Sequence, residues 1–135
     1  MTRVENWPLL LDQYIQRHER DCFDWHAQNC ALFAARWVYI ATGKTIVVPL
    51  THTAKEAVRT LRDFGGLLKA TNHYLGEPVP GAYARVGDIA LVSIPRLRER
   101  KAHALGVCLG TQIAVPGYCG IGLMPLSQSE AAWRV

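Results

Sequence analysis

The apolar residues change period partway along the chain. From Asn6 to Arg20 they recur at helical spacing. Trp7, Leu10, Leu11, Tyr14 and Ile15 form one stripe, and Asp12, Gln13, Gln16, Arg17, Glu19 and Arg20 take the other side. This predicts a surface helix with Asn6 as N-cap and Pro8 in its first turn. From Cys30 to Ala41 nearly every residue is apolar and only Arg36 is charged, which predicts a central, buried helix. Asn29 can cap its start and Gly43 can end it. A third helix is predicted from Thr53, where Thr53-Ala54-Lys55-Glu56 reads as a capping box. Ala54, Ala57, Val58, Leu61 and Phe64 form its expected buried face, and Gly65-Gly66 stops it. Leu67 to Leu75 predicts a further short helix ended by Gly76.

Two prolines hold Glu77-Pro78-Val79-Pro80-Gly81 extended. Beyond them the pattern becomes β-like. Strands are predicted over Ile89–Ile94, Ala104–Leu109, Gln112–Val115 and Gly120–Leu126, with a tight turn at Gly110-Thr111. Helices first and strands afterwards make the fold class α+β, in one domain spanning residues 1–135. Trp133 is expected to anchor the C-terminal segment in the core.

Composition changes this picture little. Half of the residues are hydrophobic and 19% are charged, as in ordinary globular domains. Much of the +4 net charge sits in Arg96-Leu97-Arg98-Glu99-Arg100-Lys101, which reads as a solvated loop or as a contact for an acidic partner. No helix carries a basic stripe and no aromatic residue interleaves with the basic run, so nucleic acid is not an expected partner. No apolar run approaches the ~18 residues of a membrane span. The N-terminus enters an amphipathic pattern directly and reads as mature sequence folded in a cytoplasm. Cys22, Cys30, Cys108 and Cys119 match no compact ligand spacing. Neither a metal nor any other cofactor is expected, and no disulfide.

Cys30 carries the candidate chemistry. A thiol attacks as thiolate, and the positive end of a helix stabilises that anion, so Cys30 is expected to have a lowered pKa. It then needs a base in reach and a third polar group to orient the base. Of five histidines, His103 alone heads a predicted central strand, and Gln112 is the polar candidate on the next strand. His26, four positions before Cys30, reads as a pocket or a turn residue. Asp88 reads as a turn residue before a strand.

The segment Phe23-Asp24-Trp25-His26-Ala27-Gln28-Asn29-Cys30-Ala31-Leu32-Phe33-Ala34-Ala35 resembles the F-x-W-G-x-x-D-C-x-x-F-A-A stretch of a family of small phage tail proteins. Gly87-Asp88-Ile89-Ala90-Leu91-Val92 is similar to the G-D-hydrophobic strand of NlpC-type peptidases. Ala104-Leu105-Gly106-Val107-Cys108-Leu109-Gly110 is similar to their H-V-G-I-Y-x-G strand. The ending Ala131-Ala132-Trp133-Arg134-Val135 resembles the A-W-R-V tail of the phage family. The resemblance implies a papain-like, NlpC-like layout in which a buried Cys-bearing helix packs on a small antiparallel sheet. It also implies a virion component of the tail tip or baseplate, made in the host cytoplasm, with other tail-tip and hub proteins as partners. The expected role is mainly structural. The alternative is an active cysteine endopeptidase that cuts peptidoglycan peptides, with Cys30 as nucleophile, His103 as base, Gln112 as third residue and the Cys30 backbone N–H in the oxyanion hole. The sequence departs from the family pattern at Asn29 and His26. Aligned on Gly106, the peptidase histidine falls on Ala104, so His103 is expected on the opposite strand face unless a bulge intervenes.

Overall fold

Alternation along the central strands decides which side chains meet the helices. The computed structural model describes residues 2–22, 29–49, 51–94, 102–117 and 119–135. The segment 23–28, with His26, and the basic run 96–101 lie outside the described residues. Four helices come first: α1 (Trp7–His18), α2 (Cys30–Thr42), α3 (Ala54–Phe64) and α4 (Leu67–Leu75). Six strands follow: β1 (Val79–Pro80), β2 (Ile89–Ile94), β3 (Ala102–Cys108), β4 (Gln112–Gly117), β5 (Gly120–Pro125) and β6 (Ser129–Trp133). They form one antiparallel sheet in the order β1-β6-β2-β3-β4-β5. The fold is α+β, as the order of patterns predicts.

On β2, Ile89 and Leu91 turn towards α2; on β3, Leu105 and Val107 do the same. They close one core with Leu11, Tyr14, Phe33, Trp37, Val38 and Trp133. The residues of opposite parity, Ala90, Val92, Ala104 and Cys108, join Ile113 and Val115 in a second core. The two-residue period of a strand thus feeds two cores from the same strands.

Several caps depart from the expected form. Asn6 makes no side-chain cap on α1. Asn29 does cap α2, its Oδ1 accepting the Leu32 N–H at 2.9 Å, and Gly43 ends that helix with a left-handed φ of 78°. Thr53 Oγ1 accepts the Glu56 N–H, but the Glu56 carboxylate takes the N–H of His52 instead of that of Thr53. The expected buried face of α3 is not buried: the helix has no buried residue, and Val58 is exposed.

Asp88 lies at the turn before β2, as expected, its N–H donating to the Arg85 carbonyl, but it is not on the surface. It is 1% exposed and gathers four partners. Arg3 and Arg134 reach its two oxygens at 3.0 and 3.1 Å, and the backbone N–H groups of Arg85 and Val135 donate at 2.9 and 3.3 Å. Gly87 beside it adopts a φ of 89°, and a Cβ there would lie 2.7 Å from the Arg3 guanidinium. Its carbonyl accepts the Trp37 indole N–H at 2.7 Å, which ties α2 to the same turn.

Trp133 is fully buried on β6, and its indole N–H donates to Asn72 Oδ1 at 2.9 Å and to the Gly76 carbonyl at 3.1 Å. Trp133→Ala is expected to cost about 3–5 kcal/mol, as other buried aromatic truncations do. Asp88→Ala is expected to cost a similar ~3–5 kcal/mol, because Arg3 and two backbone donors lose their buried acceptor. Urea denaturation of both variants measures this; an Asp88→Ala loss below ~1 kcal/mol would show that the carboxylate does not fasten the termini.

Candidate active site

Cys30 is the first residue of α2, and four N–H groups open at such a helix end. Asn29 occupies the Leu32 N–H with its side chain and the Phe33 N–H with its carbonyl. The N–H groups of Cys30 and Ala31 are left to the Cys30 sulfur, which also receives the N–H of Leu105 from β3. That last contact fits the sheet. β3 and β4 form ladder pairs only at Val107–Ala114 and Cys108–Ile113, so the Leu105 stretch of β3 pairs with β2 alone. Cys30 packs against both cores at this place.

These donors do not win. Burial pushes the Cys30 thiol up, and the three backbone N–H groups offset only part of that. The sequence-based expectation of a lowered pKa is therefore corrected: desolvation of the thiolate outweighs the helix end. At neutral pH Cys30 rests as a thiol and needs a base to become a nucleophile.

His103 lines the same cavity as Cys30. It does so without a bulge in its own strand. β3 pairs regularly with β2 through Leu91–Leu105, Val92–Ala104 and Ser93–His103. His103 thus shares the parity of Leu105 and Val107, which face α2, while Ala104 joins the other core. The register bears out the expectation that His103 lies on the strand face opposite to Ala104, and both residues line the cavity.

The ring is held by a residue that the sequence reading did not single out. His103 Nε2 lies 2.7 Å from Glu130 Oε2. With the carboxylate accepting the Nε2 proton, Nδ1 is left as the basic nitrogen. Glu130 comes from β6, two strands away across β2. The bulge lies here: Leu91 pairs with Ala131 but Val92 with Ser129, which leaves Glu130 as the extra residue. A bulge of this kind re-aims a side chain. Directly opposite His103 on β2 is Ser93, a small residue. Both partners are partly open to solvent, with side-chain exposures of 39% and 43%, so the contact orients the ring more than it stabilises the fold.

Gln112 is not brought to this group. It lies exposed at the start of β4, beside the Gly110-Thr111 turn, where its carbonyl accepts the Leu109 N–H. The Val107–Ala114 pairing puts the His103 end of β3 at the other end of the sheet.

The cavity measures about 500 Å³. Ala31, Ala34 and Val38 of α2, Leu61 and Phe64 of α3, and Leu75 of α4 line it, so the apolar face of α3 covers a cleft instead of the core. Among the described residues, its lining includes no Lys, Arg, Asp or Glu. Among the described residues, no group of three His, Cys, Asp or Glu is placed to hold a metal ion, and no helix is long and apolar enough to cross a membrane.

A family model described as Domain of unknown function (DUF6950) matches residues 2–135, and the chain belongs to that family. No curated protein matches it in sequence.

Burial raises the Cys108 thiol as well as Cys30. In the unfolded chain thiols ionise near ~8.5. Above that pH the unfolded state binds fewer protons than the folded one, so stability falls as pH rises. The contribution is complete at pH 7 and is lost progressively above ~8.5. Tyr14, also raised by burial, extends the loss above its ordinary range near ~10. Melting curves from pH 7 to 10.5 are expected to show a falling Tm; a flat or rising Tm would contradict the burial of these groups.

Proposed function

We propose that this DUF6950 member is a component of a phage tail tip or baseplate with a papain-like, NlpC-like fold, and that it can act as a cysteine hydrolase on peptide bonds of the cell wall. The tail-tip placement rests on the sequence resemblance at Phe23–Ala35 and Ala131–Val135, and the NlpC-like layout on that at Gly87–Val92 and Ala104–Gly110. The hydrolase reading rests on one observation: a helix-terminal Cys30 and a His103 oriented by Glu130 line one cavity.

The chemistry follows from that arrangement. Substrate binding brings a carbonyl carbon to the Cys30 sulfur. His103 Nδ1 takes the thiol proton as the sulfur attacks, and the Glu130 carboxylate stabilises the imidazolium that forms. The Cys30 backbone N–H, at the open end of α2, serves in the oxyanion hole once the sulfur has attacked. His103 then returns the proton to the leaving amine, and water hydrolyses the thioester. The uncharged cavity wall suits the small apolar side chains of a wall peptide, such as alanine methyl groups.

A raised thiol pKa favours a second reading, in which the domain serves mainly in assembly. Virions separate the two. If the domain is an enzyme, Cys30→Ala particles assemble but penetrate an intact wall slowly; if it is structural, they infect normally.

For the purified protein, Cys30→Ala is expected to abolish release of muropeptide fragments. His103→Ala is expected to lower kcat by about 10²–10⁴, and Glu130→Gln to lower it less. Chromatography of digested sacculi measures all three. Wild-type protein that releases no more than Cys30→Ala would refute the hydrolase reading.

A further inference from the structure

Two exposed cysteines far apart in sequence meet at the surface. The sulfurs of Cys22 and Cys119 lie 3.0 Å apart, although the residues are 97 positions apart. Both are free thiols and both are exposed. Their backbones are paired as an isolated antiparallel bridge between the end of the α1 region and the start of β5.

The flanking hydrogen bonds fix the kind of pair. The Gly120 N–H donates to the Asp21 carbonyl at 2.8 Å, and the Ile121 N–H reaches the Glu19 carbonyl at 3.4 Å. The Gly120–Asp21 bond joins the residue after Cys119 to the residue before Cys22. This pattern marks a non-hydrogen-bonded pair, in which opposed Cα atoms are closest, at about 4.5 Å. That separation falls within the span a disulfide bridges without backbone movement, roughly 4.4–6.8 Å. The approach is built in. Gly120 has a φ of 113°, and a Cβ there would lie 2.4 Å from the Glu19 carbonyl oxygen, so only glycine lets the two segments close.

We propose that Cys22 and Cys119 are a redox site that closes to an intramolecular disulfide when the protein meets a small-molecule disulfide such as oxidised glutathione. One cysteine, as thiolate, attacks a glutathione sulfur, forms a mixed disulfide and releases one glutathione thiolate. The second cysteine, losing its proton to solvent, attacks the protein sulfur of that mixed disulfide. The Cys22–Cys119 bond forms and the second glutathione leaves. Two electrons pass to the glutathione disulfide, and two protons leave the protein. Cys22 holds its proton more tightly than an ordinary thiol because it is hydrogen-bonded to Cys119, so closure quickens as pH rises. Cys30 and Cys108 take no part: one faces the cavity and the other is buried.

The closed bond ties the α1 end to β5 just before the segment that leads to Cys30. Closing so long a loop restricts the unfolded chain strongly, and a rise in Tm on the order of 10 °C is expected.

The test equilibrates the full chain with reduced and oxidised glutathione, then quenches with acid. Free thiols are alkylated in denaturant and peptides are mapped by mass. The expected result is a monomer with two alkylated thiols, Cys30 and Cys108, and a Cys22–Cys119 cross-linked peptide. The oxidised form melts higher than the reduced form. Cys22→Ser and Cys119→Ser, both at exposed positions, melt like the reduced wild type and show no shift with oxidant. Four alkylated thiols, a persistent glutathione adduct, a disulfide-linked dimer or an unchanged Tm would each overturn the proposal.

Discussion

Asp88 accepts hydrogen bonds from groups at both ends of the chain, Arg3 near the start and Arg134 and Val135 at the finish. A carboxylate so buried is tolerable only because every donor around it is supplied. Its position fixes more than the termini. Gly87, next to it, receives the Trp37 indole N–H and so holds α2 to the turn before β2. With Arg134 and Val135 held, β6 keeps its register on β2, and the bulge that carries Glu130 keeps its place. The geometry of Cys30, His103 and Glu130 therefore depends on a carboxylate at the opposite end of β2 from His103.

At the site, two opposing effects act on one thiol. The helix end and the Leu105 N–H stabilise the thiolate; burial between two cores opposes it and prevails. A resting thiol protected in this way oxidises slowly and reacts only when a base is aligned. The same burial favours close packing at the sheet, so a cysteine here is a sound core residue even apart from chemistry. The Glu130 carboxylate distinguishes the arrangement from mere packing, because it orients the ring of His103, which lines the cavity together with Cys30.

Much of the scaffold was legible in the sequence. The apolar run from Cys30 to Ala41 marked α2 with both of its caps, and the switch to a two-residue period marked β2 to β5. The third helix was readable as a helix but not in its environment: an amphipathic pattern gives the apolar face without saying whether a core or a cleft lies beneath it. Asp88 was readable as a turn residue but not as a buried one, because its arginine partners lie 85 and 46 positions away. Glu130 was missed for a related reason. One extra residue in β6 changes its partner, and no local pattern marks that bulge. The pairing of Cys22 with Cys119 is likewise a long-range contact. Gln112 followed from strand adjacency alone, and the hairpin carries it away from the histidine.

The most direct measurement is the structure of the protein after reaction with a peptidyl chloromethyl ketone, which traps a nucleophilic thiol next to a histidine. The account predicts a thioether on Cys30, His103 Nδ1 turned to the trapped group, and Nε2 still on Glu130. An unmodified Cys30, or a His103 ring directed out of the cavity in the adduct, would contradict it.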